Sequence, residues 1–177
     1  NEIIDGVLQM CETLCKLHDK RIHHRDIKPS NIYYYDGRYA FGDFGLVDFP
    51  DNDDFTKSDR GLGAIFTIAP EMKRNPKLAD ASKADVFSLA KTLWMFLSGD
   101  EKGFDGVYDY LDQSHSLRYV SRFKEEHLAE IDELLKDATE NNPDLRPDIY
   151  EFTKRLLLWR EIAGDFDKSQ NSDWKFL

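Results

Sequence analysis

The sequence predicts a mainly α-helical fold that contains one small β-hairpin. Apolar residues recur at helical spacing in four separate stretches, and an Asp-Gly pair separates two short β-prone runs. At 177 residues, with 41% hydrophobic residues, the chain can bury one sizeable core but is short for two full domains. We therefore expect a single helical bundle that carries the hairpin.

The first predicted helix covers residues 2–18, where apolar side chains recur every three or four positions and form one face. Cys11 and Cys15, the only cysteines, lie on this helix. A disulfide or a metal clip is conceivable there, but two thiols on one turn with no third ligand nearby make a poor site. The pattern favours core thiols in a reducing compartment.

The predicted hairpin consists of residues 32–35 and 39–41, joined through an Asp36-Gly37 pair that favours a tight turn. Asp43 follows the second strand. It should therefore lie at the same edge as the polar loop that precedes the first strand. The hairpin explains how side chains that are distant in the sequence can converge on one metal cluster.

Residues 82–97 form the most apolar predicted helix, and we expect it to run through the core because apolar side chains surround it on most sides. Ser82, with Asp85 three positions later, resembles a capping box in which Asp replaces the usual Glu. Gly99 follows the last apolar residue and is the expected C-terminal stop.

The C-terminal part of the chain holds two more predicted helices. Residues 100–122 are irregular with aromatic anchors, and residues 124–139 have the apolar spacing of an amphipathic helix. Pro147 is expected in the first turn of the last helix. The remainder, residues 164–177, is polar until its apolar end, and we assign it to a tail or linker.

The charge balance argues against several classes of partner. The net charge is −10 and 33% of the residues are charged, whereas nucleic-acid binding needs a basic surface and anionic membranes attract basic segments. The sequence has no signal peptide and no apolar run of the ~20 residues that a membrane span requires. We expect a cytoplasmic, intracellular protein with no nucleic-acid or membrane partner.

Four polar residues have the chemistry that phosphoryl transfer needs, which is mostly positioning and charge neutralisation. Asp26 can orient a substrate hydroxyl and accept its proton, and Lys28 can reach a phosphate as a point charge. Asn31 and Asp43 offer an amide oxygen and a carboxylate to a hard divalent cation. Any one of these residues alone is usually a turn former or a solvated side chain. Their spacing makes the functional interpretation specific.

That spacing resembles the catalytic loop and the metal motif of eukaryotic-type (Hanks-type) Ser/Thr protein kinases. The matching residues are His24-Arg25-Asp26-Ile27-Lys28-Pro29-Ser30-Asn31 and Asp43-Phe44-Gly45. The resemblance implies transfer of the γ-phosphate of ATP to a protein hydroxyl, with Mg²⁺ or Mn²⁺ as the metal. It assigns Asp26 and Lys28 to catalysis. It assigns Lys28, Asn31 and Asp43 to nucleotide binding, the last two as metal ligands.

Other residues match structural positions of the same family. The resemblance places His24 and Phe44 in the internal hydrophobic column of an active kinase. Ala69-Pro70-Glu71 closes the activation segment, residues 43–71, and Glu71 is expected to pair with a buried arginine, here Arg146. Asp85 corresponds to the residue that holds the backbone of the catalytic loop, residues 24–31.

The activation segment contains a polar, acidic stretch, residues 48–60, that we expect to be a mobile loop. In kinases with an arginine before the catalytic aspartate, here Arg25, a phosphate on this loop can neutralise the arginine and order the loop. Thr56 and Ser58 are the candidate phosphosites, although the position that aligns with the common site is Arg60. Mass spectrometry that found an unmodified loop in fully active protein would contradict phospho-regulation.

The substrate side of the site departs from the family pattern. Ala64 follows Gly63 where Ser/Thr kinases generally place a threonine, and Thr67 stands where an aromatic residue is common. Lys28 still favours a Ser/Thr acceptor over a Tyr acceptor by resemblance. The side of the site that faces the protein substrate is therefore expected to be unusual, while the metal and nucleotide chemistry need not be.

A larger departure lies upstream of the catalytic loop, where the sequence has no glycine-rich phosphate loop, no phosphate-pairing lysine and no helix glutamate. We therefore expect residues 1–163 to be the C-terminal lobe of a kinase domain whose partner is its own missing N-terminal lobe. Half of the ATP cleft is then absent, and we expect the chain to be inactive in isolation.

Two other interpretations are open. A pseudokinase or scaffold would be a binding module with a kinase shape, and an upstream half without its lysine would make it one. The four intact polar residues argue against it. A small-molecule phosphotransferase of the kinase-like superfamily shares the Asp and Asn arrangement, but such enzymes usually lack the Lys28-type residue and the Glu71–Arg146 pair.

Overall fold

The computed structural model of the chain describes residues 2–47, 64–124 and 126–163. Within these ranges, six α-helices and two β-strands follow one another along the chain. They are α1 (Glu2–Asp19), β1 (Ile32–Tyr35), β2 (Arg38–Phe41), α2 (Ala64–Thr67), α3 (Pro70–Arg74), α4 (Ala81–Ser98), α5 (Ala129–Ala138) and α6 (Ile149–Ile162). The predicted fold class, mainly helical with a small hairpin, is confirmed. Thr56, Ser58, Arg60, Gly63 and the tail 164–177 lie outside the described residues.

The hairpin forms because its two turn residues adopt the backbone conformation that a tight turn requires. Asp36 and Gly37 have φ values of 48° and 76°, which is the pair of positive angles found in a two-residue type I′ turn. The strands are antiparallel, with Ile32 opposite Phe41. The hairpin packs on α1, where the Tyr39 N–H donates to the side-chain oxygen of Gln9 at 3.0 Å.

Helix α4 runs through the core, as its composition predicts, and packs against α1, α2, α3, α5 and α6. The predicted capping box is wrong. The carboxylate of Asp80 caps the helix by accepting the N–H groups of Ser82 and Lys83, and the Ser82 hydroxyl donates to the same carboxylate. At the other end Gly99 has a φ of 76° and donates its N–H to the Met95 carbonyl, so the predicted stop is confirmed.

The last two helices begin later than predicted. A short 3₁₀ turn occupies Ser121–Phe123, and α5 begins only at Ala129. Pro147 does not lie in the first turn of α6. The carboxylate of Asp148 accepts the Glu151 N–H at 2.8 Å and caps the helix, which leaves Pro147 before the cap.

Cys11 and Cys15 are free thiols, as predicted. Cys11 is fully buried in the core, and burial raises its pKa to about 12. Across the described parts of the chain, the structure contains no helix with the length and apolar character needed to cross a membrane.

Lys91 is a lysine in the buried centre of α4, with 2% of its surface exposed. Its ammonium donates to the carbonyl oxygens of Phe104 and Gly106, at 3.0 Å and 2.5 Å, and lies 3.4 Å from the centre of the Phe104 ring. Burial lowers the pKa of Lys91 to about 7, with Asp105 opposing and Lys73 adding to the shift. A buried charge is therefore held by carbonyl dipoles and an aromatic face instead of a carboxylate.

We predict that Lys91 makes the stability of the protein depend on pH. Because its folded-state pKa lies below the unfolded value, the unfolded chain binds more protons above pH 7, and the free energy of unfolding rises with pH. Relative to Lys91→Met, the wild type should gain up to about 1.4 kcal/mol per pH unit between about pH 7.5 and pH 9. Denaturant unfolding at each pH measures this difference. The matched control is Lys102→Met, at an exposed lysine, and should show no such slope.

Candidate active site

The backbone of the candidate catalytic loop is held by one buried carboxylate. Asp85, in the first half of α4, accepts the N–H of His24 on Oδ2 at 2.8 Å and the N–H of Arg25 on Oδ1 at 2.7 Å. The ring of His18 contacts Oδ2 at 3.0 Å. Arg25 has a φ of 66°, a conformation that non-glycine residues adopt only when their surroundings hold them there. Asp85 supplies part of that restraint.

Asp26, Lys28 and Asn31 lie together in direct contact. The Lys28 ammonium is 2.8 Å from Oδ2 of Asp26. The Asn31 amide donates to the same oxygen and to the Asp26 carbonyl, both at 2.9 Å. Both side-chain donors therefore reach Oδ2, and no donor from the described residues contacts Oδ1. The nearly buried carboxylate is thus held in one orientation, and among the described residues its Oδ1 has no donor.

His24 links this loop to the base of the hairpin. Its Nε2 lies 3.1 Å from the Gly42 carbonyl, and the Asp26 N–H points at its Nδ1 at 3.3 Å, so the proton of the neutral ring belongs on Nε2. Burial lowers the pKa of His24, while the nearby carboxylates of Asp85, Asp26 and Asp43 oppose the shift. The ring also packs against Phe41 and Phe44, each with ring centres 5.1 Å apart.

Asp43 lies just beyond β2, beside the same loop. The Gly42 N–H donates to the Asn31 carbonyl at 2.8 Å, which joins the two segments that carry the candidate metal ligands. Asp43 is exposed, and its backbone adopts the left-handed conformation with a φ of 54°. Its carboxylate accepts the Gly45 N–H at 3.4 Å. The described residues contain no cluster of three His, Cys, Asp or Glu side chains that could hold a metal.

The donors offered at this edge are one carboxylate, on Asp43, and one amide oxygen, on Asn31. Such a set fits Mg²⁺, which keeps several waters and is usually held by one or two carboxylates together with nucleotide phosphates. The residues present are therefore compatible with the metal and the nucleotide that the sequence implies.

A second ion pair joins Glu71, the last residue of the activation segment, to Arg146. Arg146 contacts both oxygens of Glu71 with its two terminal nitrogens, at 2.5 Å and 2.9 Å. The arginine is 2% exposed. It also donates to the carbonyls of Glu140 and Lys83, and its guanidinium lies 4.8 Å from the centre of the Phe87 ring. The first turn of α3 is thereby fixed to the helical core.

The remaining predicted residues are placed as follows. Arg25 donates to the Pro76 carbonyl at 3.0 Å. Gly45 lies in a 3₁₀ turn, Phe44–Leu46, directly after Asp43. Thr67 is buried at the end of α2, and its carbonyl accepts the Ser88 hydroxyl at 2.7 Å. The side chain of Ala64 and the candidate phosphosites lie outside the described residues.

Sequence reasoning missed one residue of this site, His18, and one buried charge elsewhere on α4, Lys91. The ring of His18 contacts the carboxylate that holds the catalytic loop. No local pattern distinguishes it from any other histidine near a helix end. Lys91 had a usable signal, since a charged residue stands within a helix that is otherwise apolar on most sides.

Comparison with known proteins agrees with this geometry. The family model described as protein kinase domain matches residues 1–160. The chain is 29% identical over 162 residues to a protein of Acanthamoeba polyphaga mimivirus that is described provisionally as a serine/threonine-protein kinase, covering 91% of this chain and 58% of the relative. It is 31% identical over 147 residues to the serine/threonine-protein kinase PDK1 of Cryptococcus neoformans, covering 80% of this chain and 12% of the relative.

A third relative is the Wee1-like protein kinase of Oryza sativa, which is 34% identical over 104 residues, covering 56% of this chain and 18% of the relative. The chain thus spans less than two thirds of the length of each of these three relatives.

We predict that breaking the Glu71–Arg146 pair from one side strongly destabilises the protein, because the arginine is buried and the carboxylate is mostly buried. Arg146→Ala should lower the free energy of unfolding by about 3–5 kcal/mol, because it leaves a carboxylate and several carbonyls without their donor. Arg155→Ala is the matched control. Its pair with Asp137, at 2.8 Å, is half-exposed and should cost about 1 kcal/mol or less. Denaturant unfolding that gave equal losses for the two variants would contradict this ranking.

Proposed function

The chain belongs to the eukaryotic-type protein kinase family, and we propose that residues 1–163 are the C-terminal lobe of a Ser/Thr protein kinase. In this proposal the complete protein transfers the γ-phosphate of Mg-ATP to a hydroxyl group of a protein substrate. Residues 164–177 are the tail or linker that follows the lobe.

The observation that carries the proposal is the arrangement around Asp26. Two donors, from Lys28 and Asn31, reach its Oδ2. Its Oδ1 is the atom that would orient the acceptor hydroxyl and take its proton. A base must have a fixed position within hydrogen-bond reach of the proton that it abstracts. The two contacts on Oδ2 supply that fixed position.

The nucleotide and its metal would be held beside this carboxylate. We assign Asn31 and Asp43 as ligands of Mg²⁺ or Mn²⁺, and Lys28 as the residue that reaches the transferred phosphate. When bound, Mg-ATP supplies the phosphate and neutralises the charge that develops during its transfer. His24 keeps the two ligand-bearing segments together through the Gly42 carbonyl.

Several regulatory and structural roles belong to the same proposal. Phe44 on His24 would form part of the hydrophobic column of an active kinase. The Glu71–Arg146 pair would fix the activation segment, residues 43–71. Arg25 would meet a phosphate on Thr56 or Ser58 when the loop is modified. The free thiols are compatible with an intracellular location.

An N-terminal lobe is the partner that this surface would require. Tyr33, Tyr34 and Tyr35 of β1 are 56%, 63% and 82% exposed, and Phe44 is 50% exposed. Several exposed aromatic residues close together in a small lobe are typical of a region that another unit covers. The isolated chain would therefore hold nucleotide weakly and be inactive.

We predict that labelled phosphate is transferred from Mg-ATP to a generic protein acceptor only when the chain is extended upstream, by on the order of 100 residues. In the active form, Asp26→Asn should lower kcat by about 10²–10⁴-fold, because the amide cannot accept the proton. Asp36→Asn is the matched control in the exposed hairpin turn and should leave kcat unchanged.

Two results would contradict this proposal. One is full activity in the Asp26→Asn variant. The other is the absence of transfer by a folded extended protein to every acceptor tried, which would favour a pseudokinase or scaffold.

A further inference from the structure

A groove of about 560 Å³ opens directly beside the candidate catalytic residues. One wall is the catalytic loop, with Lys28, Pro29 and Ser30, and the other is the C-terminal end of α4 and the segment that follows it. The Lys28 ammonium that borders the groove lies 2.8 Å from Oδ2 of Asp26. A substrate hydroxyl at Asp26 would therefore place its neighbouring residues at the mouth of this groove.

The lining of the groove is mainly apolar. Met95, which is nearly buried, and the half-buried Phe96 supply its apolar lining, and Gly99 adds no side chain. Methionine is flexible and polarizable, so it adapts to apolar side chains of different shapes. The volume lies within the range of sites that bury a ligand group of substantial size.

Two of the described residues that line the groove, Lys28 and Glu101, are charged. The Lys28 ammonium is already paired with Asp26, and Glu101, an exposed residue, is the only carboxylate among the lining residues that the structure describes. A lysine or arginine side chain entering the groove would meet one solvated carboxylate and a fixed positive charge. An apolar side chain would instead exchange water for the Met95 and Phe96 surfaces.

We propose that this groove binds a large apolar side chain of the protein substrate, close to the phosphoacceptor residue. The protein then prefers acceptor sites flanked by an apolar residue over sites flanked by a basic one. The inference rests on the proposed function, because it needs a protein acceptor at Asp26, and it specifies the class of acceptor sequence.

Phosphorylation of paired peptides tests the proposal. Each pair carries Leu or Arg at one position flanking the acceptor serine, and kcat/KM is measured for every position with the extended, active protein. At one position at least, Leu should be favoured over Arg by about 10-fold, the discrimination that a hydrophobic pocket typically gives.

Ser30→Glu identifies the groove as the source of that preference. Ser30 is exposed on the groove wall, so the change adds a carboxylate without disturbing the core. Because Ser30 neighbours the proposed metal ligand Asn31, the readout is the ratio of kcat/KM for the Leu and Arg peptides of each pair, in which any general loss of activity cancels. This ratio should fall at that position alone. Ser121→Glu adds the same charge at an exposed serine that does not line the groove, and it should change nothing.

A nuclear magnetic resonance measurement of peptide binding tests the groove without relying on Ser30→Glu. With ¹³C-methyl methionine, the Met95 signal should shift when the Leu peptide is added, and shift less with the Arg peptide. Met10 and Met72, which do not line the groove, serve as internal references.

The possible outcomes distinguish a failure of the groove assignment from a failure of the proposed kinase function. Transfer without a preference for Leu at any position, or with a preference that Ser30→Glu leaves intact, overturns the groove assignment and leaves the kinase function standing. Absence of transfer to every protein and peptide overturns the proposed function, and the groove assignment with it.

Discussion

The arrangement of the candidate site depends on the carboxylate of Asp85. The catalytic loop contains only one short 3₁₀ turn, Pro29–Asn31, so little of its shape comes from its own hydrogen bonds. Asp85 is fully buried and projects from the most buried helix. A carboxylate in that position needs donors, and it finds them in the His24 and Arg25 backbone and the His18 ring. Because the buried carboxylate needs these donors, it holds the loop backbone in one conformation.

Hydrogen bonds connect the loop backbone that Asp85 holds to the base of the hairpin. His24, held at its backbone by Asp85, bonds the Gly42 carbonyl through its ring, and the Gly42 N–H returns to the Asn31 carbonyl. The position of Asp43 is therefore coupled to that of Asp26 through short contacts. Phosphoryl transfer relies on positioning, and this network ties the base candidate and the metal-ligand candidates to a single rigid helix.

Sequence patterns within a few residues correctly predicted the hairpin turn and the C-terminal end of α4. The Asp36-Gly37 turn follows from backbone conformation, and Gly99 ends α4 for a similar reason. The starts of α4 and α6 were misplaced because Asp80 and Asp148 compete as capping residues with nearby candidates. Capping depends on which carboxylate reaches the free N–H groups, and a sequence pattern alone does not decide this.

The residues of the candidate site also fall into those that a local pattern predicts and those that it does not. The spacing of Asp26, Lys28 and Asn31 within one loop was visible in the sequence, and so was the family resemblance that singled out Asp85. The contacts of His18 and Lys91 are not local, since they join residues 67 and 13–15 positions away. Such contacts are set by how the helices pack, and no sequence period encodes them.

During synthesis on a ribosome, the Glu71–Arg146 pair can form only late, because Arg146 is made long after Glu71. The two residues are separated by 75 positions, so at roughly 5–20 residues per second Glu71 is made about 4 to 15 seconds before its partner. During that interval the catalytic loop already exists, but α3 lacks the contact that fixes it to the core. The nascent lobe therefore cannot complete its tertiary structure until nearly all of it has been translated.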